Sequence, residues 1–146
     1  MMGNLLKYFR CFVVVAIVLT IVAACTKNNG DIGVWFGLWK VTSVEVDGSA
    51  DRKYKGNMYF SFQNTTFEQK LVKDDHSVKQ VFGEGREADG KMTIIFPDKR
   101  YYPLDGYMRG DSVENVLAVE RQAADRISLT LISGERQVLY KMEKWQ

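Results

Sequence analysis

MYFSFQNTTFEQKLV, residues 58–72, carries two alternations of large apolar with small or polar side chains, separated by Asn64-Thr65. Met58, Phe60 and Phe62 share one face of the first half, and Phe67, Gln69 and Leu71 share one face of the second. A period of two is that of a strand with one buried face, and the short polar break reads as a hairpin turn. Working outward, Ser77–Glu87 continues the alternation with Val78, Gln80 and Phe82 in phase. Asp89-Gly90 is the strongest turn signal in the chain, because a type I′ turn needs positive φ at both central residues. Met92, Ile94 and Phe96 then share a face. Upstream, Leu38–Val46 is rich in β-branched residues and stops at Asp47-Gly48. Downstream of a long loop come Asn115–Arg121, Arg126–Ile132 and Arg136–Trp145, the last two joined across Ser133-Gly134. Only Ser112–Ala118 competes as a helical turn.

These segments predict an all-β fold of eight antiparallel strands in up-and-down order. A meander with one apolar face closes most simply into a barrel, which also removes exposed edges; a monomer is expected. Pro97 and Pro103 both fall in the long loop and interrupt no strand. Gly83 and Gly85 lie inside a strand, where they suit a kink that lets a barrel curve. The predicted inward face runs from Trp39, Val41 and Ser43 through Met58, Phe60, Phe62, Phe67, Gln69, Leu71, Val78, Gln80, Phe82, Met92, Ile94 and Phe96. It ends with Ile127, Leu129, Leu131, Val138, Tyr140 and Met142. Eight strands leave room only for side chains or one small ligand.

The N-terminus is of a different kind. Phe12–Ala24 has no charge and follows Lys7 and Arg10. It is too short to span a bilayer and has the length of a signal-peptide apolar core. The run ends Val22-Ala23-Ala24-Cys25, which resembles a bacterial lipobox. That resemblance implies cleavage before Cys25 and acylation of its thiol and amine, after a helical signal peptide at residues 1–24. Two or three acyl chains anchor stably, at about 0.8 kcal/mol per buried methylene. The implied location is the cell envelope, on the outer membrane of a Gram-negative bacterium, with the bilayer as a partner through Cys25. Residues 25–33 then form the acylated cysteine and a flexible tether, and residues 34–146 the barrel domain. Cys11 leaves with the signal, so no disulfide is possible in the mature chain. The signal takes two of the 20 Lys+Arg and none of the 18 Asp+Glu, leaving a neutral chain. Such a chain lacks the basic footprint of a nucleic-acid binder.

Gly37-Leu38-Trp39 stands at the start of the first strand. With the strand count and the lipobox, it resembles the Gly-x-Trp signature of lipocalin-like domains of bacterial lipoproteins. In that family the tryptophan plugs the closed end of an eight-stranded barrel, and the open end admits a small, usually apolar ligand. Gly37 and Trp39 would be the end plug here. The family also stacks a late arginine over the tryptophan, where this chain has Lys141 and Lys144. Its Thr-Asp-Tyr segment has only a distant echo in Leu104-Asp105-Gly106-Tyr107.

Catalytic chemistry is not apparent. The single histidine, His76, sits in Lys73-Asp74-Asp75-His76-Ser77, which reads as a solvated turn. Neighbouring residues rarely converge on one metal. The mature chain has no free thiol and none of the hydrolase motifs, so no catalytic residue, metal or cofactor is expected. The loop Pro97–Asp111 carries Tyr101, Tyr102 and Tyr107 among Lys99, Arg100 and Arg109. Loops of this length are often functional, and tyrosines give contact area with a polar tip; equally, its aromatics can fold back to cap the barrel. Ser43, Gln69 and Gln80 mark either a wet cavity mouth or polar groups satisfied locally. With Tyr101, Tyr102, Tyr107 and Tyr140 they are the candidate ligand-binding residues. Two functions stay open: a carrier of a small amphipathic or hydrophobic ligand in the barrel, and a filled barrel that binds a protein or glycan through its loops.

Overall fold

The computed structural model describes residues 30–145 apart from Lys99 and Tyr101. The signal segment, Cys25 and residues 26–29 of the expected tether lie outside the described residues. The described chain begins in a 3-10 turn, Gly30–Trp35, which is broken at Gly33 (φ 54°, ψ −120°). Nine strands follow: β1 (Gly37–Val46), β2 (Ser49–Ala50), β3 (Met58–Gln63), β4 (Thr66–Val72), β5 (Val78–Ala88), β6 (Lys91–Ile95), β7 (Glu114–Ala123), β8 (Arg126–Leu131) and β9 (Val138–Lys144). Each of β3 to β9 pairs antiparallel with its sequence neighbour, β1 pairs with β3, and β9 returns to β1. The result is a closed barrel of eight strands, with β2 a two-residue extension folded back on β1. All eight expected strands are present, and Ser112–Ala118 resolves as the entry to β7.

Turn chemistry sets the register. Asp89 and Gly90 have φ of 52° and 71°, and Asp47 and Gly48 have 50° and 80°, so each pair supplies the two positive values of a tight hairpin. The strand directions sort the loops into two groups. The 3-10 turn and the β3–β4, β5–β6 and β7–β8 turns lie at one end, here the closed end. The β1–β3, β4–β5, β6–β7 and β8–β9 connections lie at the other, the mouth.

Aromatic rings fill the interior. Trp35, Trp39, Phe60, Phe62, Phe67, Phe96 and Tyr140 are all fully buried. Their ring centroids form a chain of contacts: Trp35–Phe62 at 4.9 Å, Phe62–Phe67 at 5.1 Å, Phe67–Phe96 at 5.9 Å, Phe60–Phe67 at 5.2 Å and Phe60–Tyr140 at 5.4 Å. Most of these pairs are tilted or edge-on, the arrangement that ring quadrupoles favour.

Two strands depart from the predicted inward face. On β5 the phase is reversed: Val78 and Phe82 are 50% and 54% exposed and Gln80 is exposed, while Val81, Gly83 and Gly85 face in. The cause is the bulk of the neighbouring rings. A Cβ at Gly83 would stand 2.5 Å from the Ile95 carbonyl oxygen and 3.2 Å from the Phe96 ring, and one at Gly85 would stand 3.2 Å from Phe67 Cβ. The inner face of β5 is emptied so that Phe67 and Phe96 fit. On β1 a bulge between Val41 and Ser43 shifts the alternation by one. Val44 and Val46 are buried after it, and Ser43 stays half-buried.

Candidate functional site

At the closed end Trp39, the residue expected as a plug, is fully buried. Its indole N–H donates to the Trp35 carbonyl at 2.9 Å. The ammonium of Lys144 lies 5.6 Å from the Trp39 ring centroid, so a late lysine takes the place over the ring for which the resemblance implied an arginine. Gly37, with φ 115°, adopts a backbone that few other residues share. Trp35, not singled out in the sequence, is also fully buried, its ring centroid 6.0 Å from that of Trp39. Its ring N–H donates to Glu87, which pairs with Arg121 at 2.7 Å, and the Arg121 guanidinium sits 5.4 Å from the Trp35 ring.

The mouth is stoppered by the long loop. Leu104, Asp105 and Met108 turn inward from it and are held by polar groups on the barrel wall. Gln69, fully buried on β4, accepts the Leu104 N–H at 2.7 Å, and its amide N–H approaches the Met108 sulfur at 3.8 Å. Tyr140 on β9 donates its hydroxyl to Asp105, which also accepts the Met108 N–H at 3.3 Å. Asn115, buried at the start of β7, accepts the Arg109 N–H at 2.7 Å and donates to the Arg109 and Ile94 carbonyls at 2.8 and 3.1 Å. Among the described residues no buried side-chain nitrogen or oxygen lacks a partner. Asp105 as a residue is half-buried, but its carboxyl group is turned inward and burial pushes its pKa up, against the hydrogen bonds it accepts. Burial beside Asp105 likewise pushes the Tyr140 hydroxyl well above the usual phenol range.

Beside this stopper lies a groove of about 590 Å³. Its floor is Met58 and Leu71 from the wall and Leu104 from the loop. Tyr54 and Tyr107 flank it, and Lys53, Lys55, Lys73, Asp51 and Asp74 line it as well. Lys55 pairs with Asp74 at 3.0 Å, both highly exposed. Tyr107 donates to Asp51 at 2.7 Å, and that bond holds the Asp51 carboxyl below its usual range. Tyr54 donates to the Val41 carbonyl and accepts from Met58 N–H at 3.3 Å; burial pushes its pKa up to about 12, so it stays protonated. Lys53 and Lys73 make no salt bridge within 4 Å among the described residues, though the charge of Lys53 helps to lower the pKa of Asp51 and that of Lys73 the pKa of Asp75.

The structure separates the candidate residues. Only Tyr107 lines the groove. Gln69 and Tyr140 sit behind the stopper and are satisfied by it. Ser43 lies on the wall at the bulge, and Gln80 points outward from β5 because of the phase reversal. Tyr102 is 62% exposed beside Gly110, and Tyr101 lies outside the described residues. His76 is exposed in the turn between β4 and β5. Sequence reasoning missed the β1–β3 loop, whose DRKYKGN (residues 51–57) interleaves cations with a tyrosine much as the long loop does.

The chain is similar in structure to a lipocalin-like protein from Bacteroides uniformis, with a TM-score of 0.60 and 19% identity over 77% of this chain and all of that one. It is also similar to an uncharacterized protein from Bacteroides eggerthii, with a TM-score of 0.60 and 17% identity over 76% of this chain and 99% of that one. At these identities the likeness is one of fold. No family profile and no curated protein matches the sequence.

Proposed function

We propose that this chain is a lipid-anchored, lipocalin-like binding module of the bacterial cell envelope that takes a small amphipathic ligand at its mouth rather than deep in its barrel. The observation that carries this reading is the groove of about 590 Å³ with an apolar floor, lined by Lys53 and Lys73, above an interior occupied by aromatic rings. Apolar walls supply affinity and a few polar groups set orientation. That volume falls within the range of about 300–1,000 Å³ usual for small-molecule sites. A barrel with Cys25 acylated would hold this groove in the envelope, on the outer membrane in a Gram-negative cell.

A ligand that binds only the folded form raises the melting temperature as its concentration exceeds its dissociation constant. The mature protein is therefore screened against fatty acids, bile acids, quinones, haem and oligosaccharides. A hit lost in Leu71→Glu and in the Lys53→Glu, Lys73→Glu pair supports the groove. A hit that survives both places the ligand elsewhere. The filled interior equally suits an interaction module acting through its loops, and no shift with any class would favour that second reading. The anchor is tested separately: metabolic labelling with a clickable fatty acid marks the wild type and spares Cys25→Ser.

A further inference from the structure

Scattered exposed apolar side chains are ordinary on a soluble domain. Here several gather where the chain enters the barrel. Val34 and Phe36 are 54% and 42% exposed just before β1, and Trp145 is 52% exposed just after β9. The Trp145 backbone N–H donates to the Leu38 carbonyl at 2.8 Å, which places it beside the start of β1. Its ring meets Tyr59 edge-on at 5.7 Å, and the Lys40 ammonium lies 5.3 Å from its centroid. Tryptophan and tyrosine with a neighbouring lysine are the side chains that settle at the headgroup level of a bilayer, rings at the boundary and ammonium toward water.

The chain length outside the barrel points the same way. Gly30, at the closed end, follows Cys25 by five residues, and five extended residues reach about 18 Å at most. The mouth lies at the far end of the ten-residue β1, about 30 Å along the strand. So short a tether keeps the closed end near the acylated cysteine and the mouth away from it.

We propose that the closed end docks on the lipid bilayer through Val34, Phe36 and Trp145, so that the mouth groove faces the aqueous side. The proposal rests on the reading of Cys25 as acylated. The test uses the mature acylated protein in vesicles of phosphatidylethanolamine and phosphatidylglycerol. Cys25 is consumed by lipid, so one introduced cysteine is the only free thiol for a nitroxide label. Labels go at Phe36→Cys and Trp145→Cys, and at Tyr102→Cys and Ile132→Cys on the mouth loops; all four native side chains are exposed, so the fold tolerates the change. At residues 36 and 145, collisions with lipid-dissolved oxygen are expected to exceed those with an aqueous nickel complex several-fold, with the order reversed at 102 and 132. Aqueous accessibility at all four sites in acylated protein overturns the docking and leaves the anchor standing. Lipid accessibility at the mouth, or spin–spin broadening at residue 36 that vanishes on dilution with unlabelled protein, overturns it too, the latter in favour of a second copy. A Cys25 found unacylated by mass spectrometry overturns both anchor and docking.

Discussion

The Tyr140 hydroxyl donates to the Asp105 carboxyl group, joining the last strand of the barrel to a loop that precedes it by 35 positions. This bond, the Gln69 acceptor for Leu104 N–H and the Asn115 clasp on Arg109 turn a long loop into a fitted stopper. A carboxyl group buried this way is held at a cost in its ionised form, and the tie can therefore be read through pH.

Burial raises the Asp105 pKa above its unfolded value near 3.8. A group so shifted contributes stability that is fully present below the unfolded pKa and lost as pH rises through the folded one. Asp105→Asn keeps an acceptor for Tyr140 and removes the titration. Urea midpoints of wild type and Asp105→Asn at pH 4 and pH 7 check this. The wild type should lose ground to the variant as pH rises; a constant gap would show that Asp105 is not shifted in that direction.

Gln69→Leu removes the acceptor for Leu104 N–H and leaves that donor facing an apolar side chain. An unpaired buried donor costs about 1–3 kcal/mol. The loss should be local, with amide exchange at Leu104 and Met108 speeding up while the β8–β9 amides keep their protection. Uniform loss of protection across the barrel would mean that the loop and the barrel unfold as one unit.

The strand plan was legible because most of the chain obeys a period of two, bounded by Asp-Gly, Asn-Thr and Ser-Gly turns. β5 was misread for a physical reason. Its inward positions at the closed end are Gly83 and Gly85, which carry no apolar signal, while its outward positions hold Val78 and Phe82, which do. The information sits in Phe67 on β4 and Phe96 just after β6, whose rings need the space. Ser43 was misplaced because a bulge, invisible in the alternation, moves the inward register to Val44. Gln69 was recognised as an unusual interior polar group and Tyr140 as an inward ligand-binding candidate, but their partner Asp105 lies in a loop with no periodicity to announce which side chains turn in. The groove was missed for the same reason: it is made where two loops meet a wall.

The reversed phase of β5 makes opposite claims about adjacent residues. Phe82→Ala should change stability by no more than about 0.5 kcal/mol, as for an exposed site. Val81→Ala, on the buried side, should cost about 1–3 kcal/mol. Gly83→Ala should be worse than either, because its new Cβ would meet the Ile95 carbonyl oxygen at 2.5 Å, and that atom is backbone. Denaturant unfolding of the three variants decides the matter. If Phe82→Ala proved the costliest, the original phase, with Val78, Gln80 and Phe82 inward, would be restored.

The two tryptophans of the closed end should act as a unit. Trp39 and Trp35 rings lie 6.0 Å apart at 54°, and the Trp39 N–H reaches the Trp35 carbonyl. Trp39→Ala should cost about 3–5 kcal/mol, the range for removing a fully buried large aromatic. Trp35→Ala also frees Glu87 from its indole donor and strips the ring from beneath Arg121, so its cost should be of similar size. Residues in contact couple by about 0.5–3 kcal/mol, so the double variant should lose less than the two single variants together. Lys144→Gln, by contrast, touches an exposed cation over a ring and should cost only about 0.5–1 kcal/mol. The measurement is a double-mutant cycle by denaturant unfolding. Strict additivity would mean that Trp35 and Trp39 stabilise the closed end independently, and a Trp39→Ala loss below about 1 kcal/mol would remove the plug role altogether.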